Sequence, residues 1–169
     1  MAEIKLEPKV VHATCVVERS FSQPPHVVFQ ALSETDKVRR WMGPGEGSEL
    51  IDFQSDFREG GLQVLKYQMG PNTPIPGVVI TNEARFLCIA PDERIVSAST
   101  MKRDDWIFSA SLITFELLAA EKGTDIIITH QGAFFEGSDG PTMRNQGWNV
   151  LADRLAAVLT AEAPARAGG

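Results

Sequence analysis

WIFSASLITFELLAAEKGTDIIITHQGAF, residues 106–134, holds two runs of β-branched, aromatic and aliphatic residues on either side of Glu121-Lys122-Gly123. The runs read as strands over roughly 106–119 and 124–134, and the connection suits a tight antiparallel hairpin. The same grammar extends upstream. Strands are predicted at about 48–57, 62–69, 78–90 and 93–101, broken by Glu59-Gly60-Gly61, Gly70-Pro71-Asn72 and Ala90-Pro91-Asp92-Glu93. None of these breaks has room for the dozen or more residues that a parallel crossover needs, so the strands form an antiparallel meander.

Outward from the meander, residues 11–21 read as a first strand with Ala13, Cys15, Val17 and Phe21 on one face. Ser22 is placed to cap a following helix in which Pro24 and Pro25 fit the first turn and Val28, Ala31 and Leu32 form the apolar stripe. A second short helix, about 34–41, carries Val38 and Trp41 and stops at Gly43-Pro44-Gly45. After Gly140-Pro141 comes the clearest helix, with Trp148, Leu151, Leu155, Val158 and Leu159 at helical spacing. Strand, two short helices, long meander and long amphipathic helix pack economically in one way. A curved antiparallel sheet wraps around the C-terminal helix, an α+β arrangement, and residual space between them is lined by inward-pointing strand residues. The expected organisation is an N-terminal extension over residues 1–10, one domain over 11–161 and a disordered tail over 162–169.

With 169 residues, 43% of them hydrophobic, the chain suits one core. Sixteen Lys and Arg against 22 Asp and Glu give a net charge of -6 and no basic stripe, which argues against nucleic acid as a partner. No stretch approaches the roughly 20 apolar residues of a membrane span, nor does the N-terminus resemble a signal peptide, so the expected setting is cytoplasmic, without a membrane. Cys15 and Cys88 sit among apolar strand residues and are expected to be free thiols.

Several segments are similar to one family in the same order: Val17-Glu18-Arg19-Ser20-Phe21, Gln23-Pro24-Pro25-His26-Val27-Val28-Phe29, Arg40-Trp41-Met42-Gly43-Pro44, Asp56-Phe57-Arg58-Glu59-Gly60-Gly61, Pro91-Asp92-Glu93-Arg94-Ile95, Thr114-Phe115-Glu116, Gly123-Thr124 and Gly147-Trp148. Over about residues 12–160 the chain resembles homologues of the activator of heat-shock-protein ATPase. These belong to the SRPBCC superfamily, with START lipid-transfer domains, birch-pollen-allergen-like proteins and aromatic polyketide cyclases. The resemblance implies a helix-grip fold with a hydrophobic ligand cavity more strongly than it implies an activity, since fold does not fix function. Two positions depart from the pattern. Ala84 stands where Gly is common, and Cys88 where Glu often precedes Ile.

Catalytic signatures are absent: there is no Gly-x-Ser-x-Gly elbow, His-Glu-x-x-His, Cys-x-x-Cys or phosphate loop. His12, His26 and His130 fall in three separate elements without metal-ligand spacing, so neither metal nor cofactor is expected. His130 continues the alternation of Ile126 and Ile128 and so points inward with them, while Tyr67 alternates with Leu65 and Met69. The candidate cavity-lining set is Tyr67, His130, Trp41, Phe115, Trp148, Leu151 and Leu155. Arg19 falls on the inward face of its strand and requires a carboxylate, for which Asp56 or Glu116 is expected. The tryptophans, Trp106 included, are expected to fill core, and Gly147 beside Trp148 is expected to mark a close backbone approach. The leading functional expectation is a module that binds a small hydrophobic or aromatic molecule. The alternatives are a polyketide cyclase or dehydratase-like enzyme, with His130 as its acid or base, and a co-chaperone-like protein-interaction domain. A homodimer is compatible with the sequence.

Overall fold

A computed structural model describes residues 8–163. The elements run β1 (Val11–Phe21), α1 (Pro25–Ser33), α2 (Thr35–Met42), β2 (Glu49–Ser55), β3 (Leu62–Gln68), β4 (Val79–Ala90), β5 (Arg94–Arg103), β6 (Trp106–Ala120), β7 (Gly123–Phe134) and α3 (Gly140–Glu162). The strands form one antiparallel seven-stranded sheet in the order β1-β7-β6-β5-β4-β3-β2. Strands β2 to β7 are a plain meander, and among the described residues the one pairing between strands distant in sequence sets β1 against β7. The expected α+β helix-grip architecture is therefore the observed one: a curved sheet, a long C-terminal helix and two short helices after the first strand. Among the described residues no helix is long and apolar enough to cross a membrane.

The hairpin at Glu121-Lys122 is locked to the end of β1. Gly123 has φ +144°, and a Cβ there would fall 1.9 Å from the Phe21 carbonyl oxygen, so only glycine fits. Next to it the fully buried Thr124 donates its hydroxyl to the Gln23 carbonyl at 2.7 Å. The buried indole of Trp41 donates to the Ala31 carbonyl at 2.9 Å, tying α2 to α1.

The inner faces of the sheet and of α3 share one hydrophobic cluster that includes Val17, Phe86, Ile95, Phe115, Ile126, Ile128, Trp148, Ala152, Leu155 and Leu159. Trp148 stacks edge-on against Phe115, which meets Trp41 in the same manner, at centroid distances of 5.9 and 6.2 Å. Such edge-to-face pairs add to plain burial because the positive ring edge meets a negative face.

Four expectations are corrected. Ser22 does not cap α1; Pro24 occupies that position with no side-chain cap, and its carbonyl accepts the amides of Val27 and Val28. Arg19 pairs with neither Asp56 nor Glu116. It reaches Asn149 and Asp153 of α3 at 3.0 and 3.2 Å, because β1 is an edge strand lying directly under that helix. Trp106 is 60% exposed at the start of β6 and fills no core. Gly147 marks no close approach, since a Cβ built there meets no atom within 4 Å. At the C-terminal end α3 continues through Glu162, whose carboxylate meets Lys37 and Arg40 at 3.4 and 3.2 Å. The tail expected to be disordered lies, from residue 164 on, outside the described residues. Cys15 and Cys88 are unpaired.

Leu155 has no exposed surface, whereas Leu151, one turn earlier, is half-buried. Leu155→Ala should therefore cost about 2–5 kcal/mol, the range for a fully buried leucine, with Leu151→Ala costing clearly less. Chemical denaturation of both variants checks this order.

Candidate functional site

Between the N-terminal half of α3 and the concave face of the sheet lies a pocket of about 460 Å³. Its walls come from every layer of the fold. Trp41 and Met42 enter from α2, Leu65 and Tyr67 from β3, Ala84 and Phe86 from β4, Ile95 and Ser97 from β5, Ile113 and Phe115 from β6, His130 from β7, and Arg144, Trp148 and Leu151 from α3. The strand residues share a face for a simple reason: paired positions such as Phe86, Ser97, Ile113 and His130 stand in one row across four strands, and side chains alternate along each strand. The segment from Gly43 to Ser48 forms part of the rim beside α3 and is held by Arg154 of that helix, which donates to the Gly43 carbonyl at 2.7 Å.

Of the seven residues expected to line a cavity, the structure brings Tyr67, His130, Trp41, Phe115, Trp148 and Leu151 around this pocket. Leu155 lies deeper, in the closed core beneath it. Among the described residues no three His, Cys, Asp or Glu side chains gather as metal ligands.

Sequence reasoning overlooked the polar end of the pocket. Arg144 is only 9% exposed and is gripped by Asp139, with its Nε and Nη2 donating at 2.8 and 2.7 Å. Its Nη2 also donates to Ser109 at 3.0 Å, and its Nη1 donates to Nε2 of His130 at 3.2 Å. Gly132 makes room for this cluster: a Cβ there would come within 2.9 Å of the His130 ring and 2.7 Å of the Phe134 ring. The Arg144 guanidinium also sits 5.1 Å from the Phe134 centroid, a cation–π contact. One sequence signal could have revealed Arg144. Positions 144, 148, 152, 155 and 159 form one helical stripe, so the arginine stands one turn before Trp148 on the buried face and needs a carboxylate there.

This environment sets the ionisation of the site. Burial, followed by the adjacent Arg144 charge, pushes the His130 pKa down to about 4, against a weaker upward pull from its own backbone carbonyl and Asp139. The imidazole is therefore neutral at pH 7. Burial likewise raises the Tyr67 hydroxyl above its ordinary value, so it stays protonated, and raises the Cys15 thiol. The inner lining consequently presents apolar groups, neutral polar groups and the Arg144–Asp139 ion pair, and the rim adds the charged side chains of Glu46 and Arg154.

The family model for Activator of Hsp90 ATPase homolog 1-like protein matches residues 22–160. The chain belongs to this family. Among solved structures, the Mll3558 protein from Rhizobium loti is 38% identical over 88% of this chain and 98% of its own, with a TM-score of 0.78. An uncharacterized protein from Rhizobium leguminosarum is 31% identical over 90% of this chain and 97% of its own, with a TM-score of 0.82. The AHSA1-like protein from Aeromonas hydrophila shares the fold at 15% identity and a TM-score of 0.67, over 93% of this chain and 99% of its own. A search of curated proteins gives no match. Membership in the Hsp90-activator-homologue family accounts for the grip of sheet on helix, and the superfamily's common habit of taking hydrophobic ligands directs attention to the space between them.

The depressed His130 pKa has a consequence for stability. Unfolded, the imidazole takes up a proton as the pH falls through about 6.5, while the folded protein resists until about pH 4. The unfolded state thus binds more protons in that window, and stability falls as the pH drops from 6.5 to 4, by roughly 3 kcal/mol at most from this group. His130→Gln should flatten this part of the pH–stability profile, as measured by denaturant unfolding at a series of pH values. An unchanged slope would contradict the neutral, buried imidazole.

Proposed function

We propose that the protein binds a small, predominantly apolar molecule in the pocket between α3 and the sheet. The observation that carries this reading is the pocket itself: about 460 Å³, walled by Trp41, Leu65, Phe86, Ile95, Ile113 and Phe115, with a few neutral polar groups among them and charged groups at its ends. Pockets that take small molecules have volumes of roughly 300–1,000 Å³ and this balance of apolar wall and sparse polar groups. A core packed only for stability does not keep such a space, because the lining forfeits its dispersion contacts.

Binding without turnover fits the lining better than cyclase or dehydratase chemistry. General acid–base catalysis works best with a group whose pKa lies near the working pH and whose lone pair is free. In His130 the pKa is held at about 4 and Nε2 is occupied by the Arg144 N–H. On this reading the imidazole contributes to the wall around a bound molecule and is ill suited to take its proton.

Gly147 offers a test that spares the fold. It lies exposed at the edge of the pocket on α3, and a Cβ there meets nothing within 4 Å. Gly147→Leu should set a bulky side chain at the pocket's edge while gaining up to about 1 kcal/mol of helix propensity over glycine. The expected outcome is a melting temperature equal to or above that of the wild type, with affinity for the neutral fluorescent probe N-phenyl-1-naphthylamine reduced at least about tenfold, equivalent to 1.4 kcal/mol. A stable variant that binds the probe as well as the wild type, or a wild type that does not bind it, would refute the assignment.

A further inference from the structure

Helix α3 brings two arginines to the pocket, Arg144 near its N-terminal end and Arg154 roughly 15 Å farther along the axis. Their circumstances differ. Arg144 is buried, and Asp139 accepts its Nε and Nη2 at 2.8 and 2.7 Å. Arg154 is half-buried, and the one bond it makes among the described residues runs from Nη1 to the Gly43 carbonyl at 2.7 Å. A carbonyl is a neutral acceptor, so the charge has no counter-charge. The acids near it on α3 are engaged elsewhere, Asp153 with Arg19 at 3.2 Å and Glu162 with Lys37 and Arg40 at 3.4 and 3.2 Å. Glu46 shares the rim but is exposed, and it forms no ion pair with Arg154 among the described residues.

The contacts of the Arg154 guanidinium fix it at the pocket. Gly43, which takes the Nη1 bond, is part of the lining, and so is Gly45, where an added Cβ would stand 3.7 Å from Nη2. Nη2 thus sits beside a residue with no side chain to cover it. Nε and Nη2, the pair through which Arg144 grips Asp139, are without partners in Arg154 among the described residues. Apolar surface lies uncovered next to this cation. Val150, one turn before Arg154, is 49% exposed, Met143 is 57% exposed, and both line the pocket.

We infer that Arg154 holds the head of the bound molecule, and that this molecule is a monoanion, an aromatic or aliphatic carboxylate whose apolar body lies in the pocket. This deepens the ligand-binding reading and rests on it. Any molecule that fills the pocket as far as the rim strips water from a guanidinium that has no counter-charge, which is costly when the occupant is wholly apolar. A carboxylate replaces that water with two charge-assisted hydrogen bonds in the planar fork that a guanidinium favours. The charges of the lining limit the head to a single negative charge, since Arg144 is already matched by Asp139 and Glu46 stands on the same rim as Arg154.

The test measures displacement of N-phenyl-1-naphthylamine from the full chain by 2-naphthoate, by its uncharged isostere 2-naphthamide and by the cation 2-naphthylmethylammonium. The naphthoate should bind about fivefold or more tighter than the naphthamide, as a charge-assisted contact at a partly exposed site supplies, and the cation should bind weakest. In Arg154→Gln the ratio of naphthoate to naphthamide affinity should fall to about two or below, while Arg154→Lys should keep part of it. The ratio isolates the charge contact, because a variant that only loosens the 43–48 segment weakens both ligands alike. Should the variants fold poorly, the wild type still answers: raising the ionic strength from roughly 0.02 M to roughly 0.5 M should narrow the ratio by screening the pair. A naphthamide bound as tightly as the naphthoate, a cation bound tighter than either, or a ratio untouched by Arg154→Gln would overturn the inference and leave ligand binding standing. Failure of N-phenyl-1-naphthylamine itself to bind would remove the ligand-binding reading, and this inference with it.

Discussion

Leu155 and Leu159 are 0% and 1% exposed where the C-terminal half of α3 settles into the core shared with Ile126 and Ile128 of β7. That burial pins a rigid rod at one end, and because side chains on a helix recur every three to four residues, it fixes what the other end presents. Ala152, Trp148 and Arg144 follow on the same stripe toward the N-terminus. Contact that is closed at Leu155 opens into a pocket by Trp148, which lines it. The site is a geometric consequence of how one stripe of one helix is anchored.

The polar end of that stripe is organised by charge. Arg144 would be untenable in the interior alone; with Asp139 on one side and Ser109 and His130 on the other, its donors are largely met. A buried pair of this kind is a weak source of stability, since desolvation cancels much of the attraction. Its effect here is positional: the Arg144 charge adds to burial in keeping the imidazole neutral, and its N–H fixes which nitrogen bears the proton. Gly132 belongs to the same arrangement, because any side chain there would displace the His130 ring.

The strands and helices could be read from the sequence because their signals are local. Alternation placed Cys15 and Val17 on the inner face of β1, and the turn residues around Gly60, Asp92 and Gly123 fall where positive φ angles occur. Tyr67 and His130 were legible for the same reason, as each continues an apolar alternation. What escaped depends on contacts far apart in the chain. The true partners of Arg19 lie 130 and 134 residues away on α3, and only the sheet order reveals that β1 runs beneath that helix. Arg144 was passed over because a charged residue in an amphipathic helix ordinarily faces water, although its spacing from Trp148 placed it on the buried stripe. Gly147 was read as a close contact, whereas it opens onto the pocket, a distinction that no sequence pattern carries.

The account stands or falls on an open, apolar space between Trp148 and the sheet. Xenon enters dry apolar cavities without needing polar partners, so the most direct measurement is a crystal structure of protein refolded from denaturant and pressurised with xenon. A xenon site bounded by Trp148, Phe86, Ile113 and Phe115 is the predicted result. A structure in which α3 has closed onto the sheet, with Trp148 packed against Phe86 and Ile113 as well as against Phe115 and no xenon between them, would contradict it.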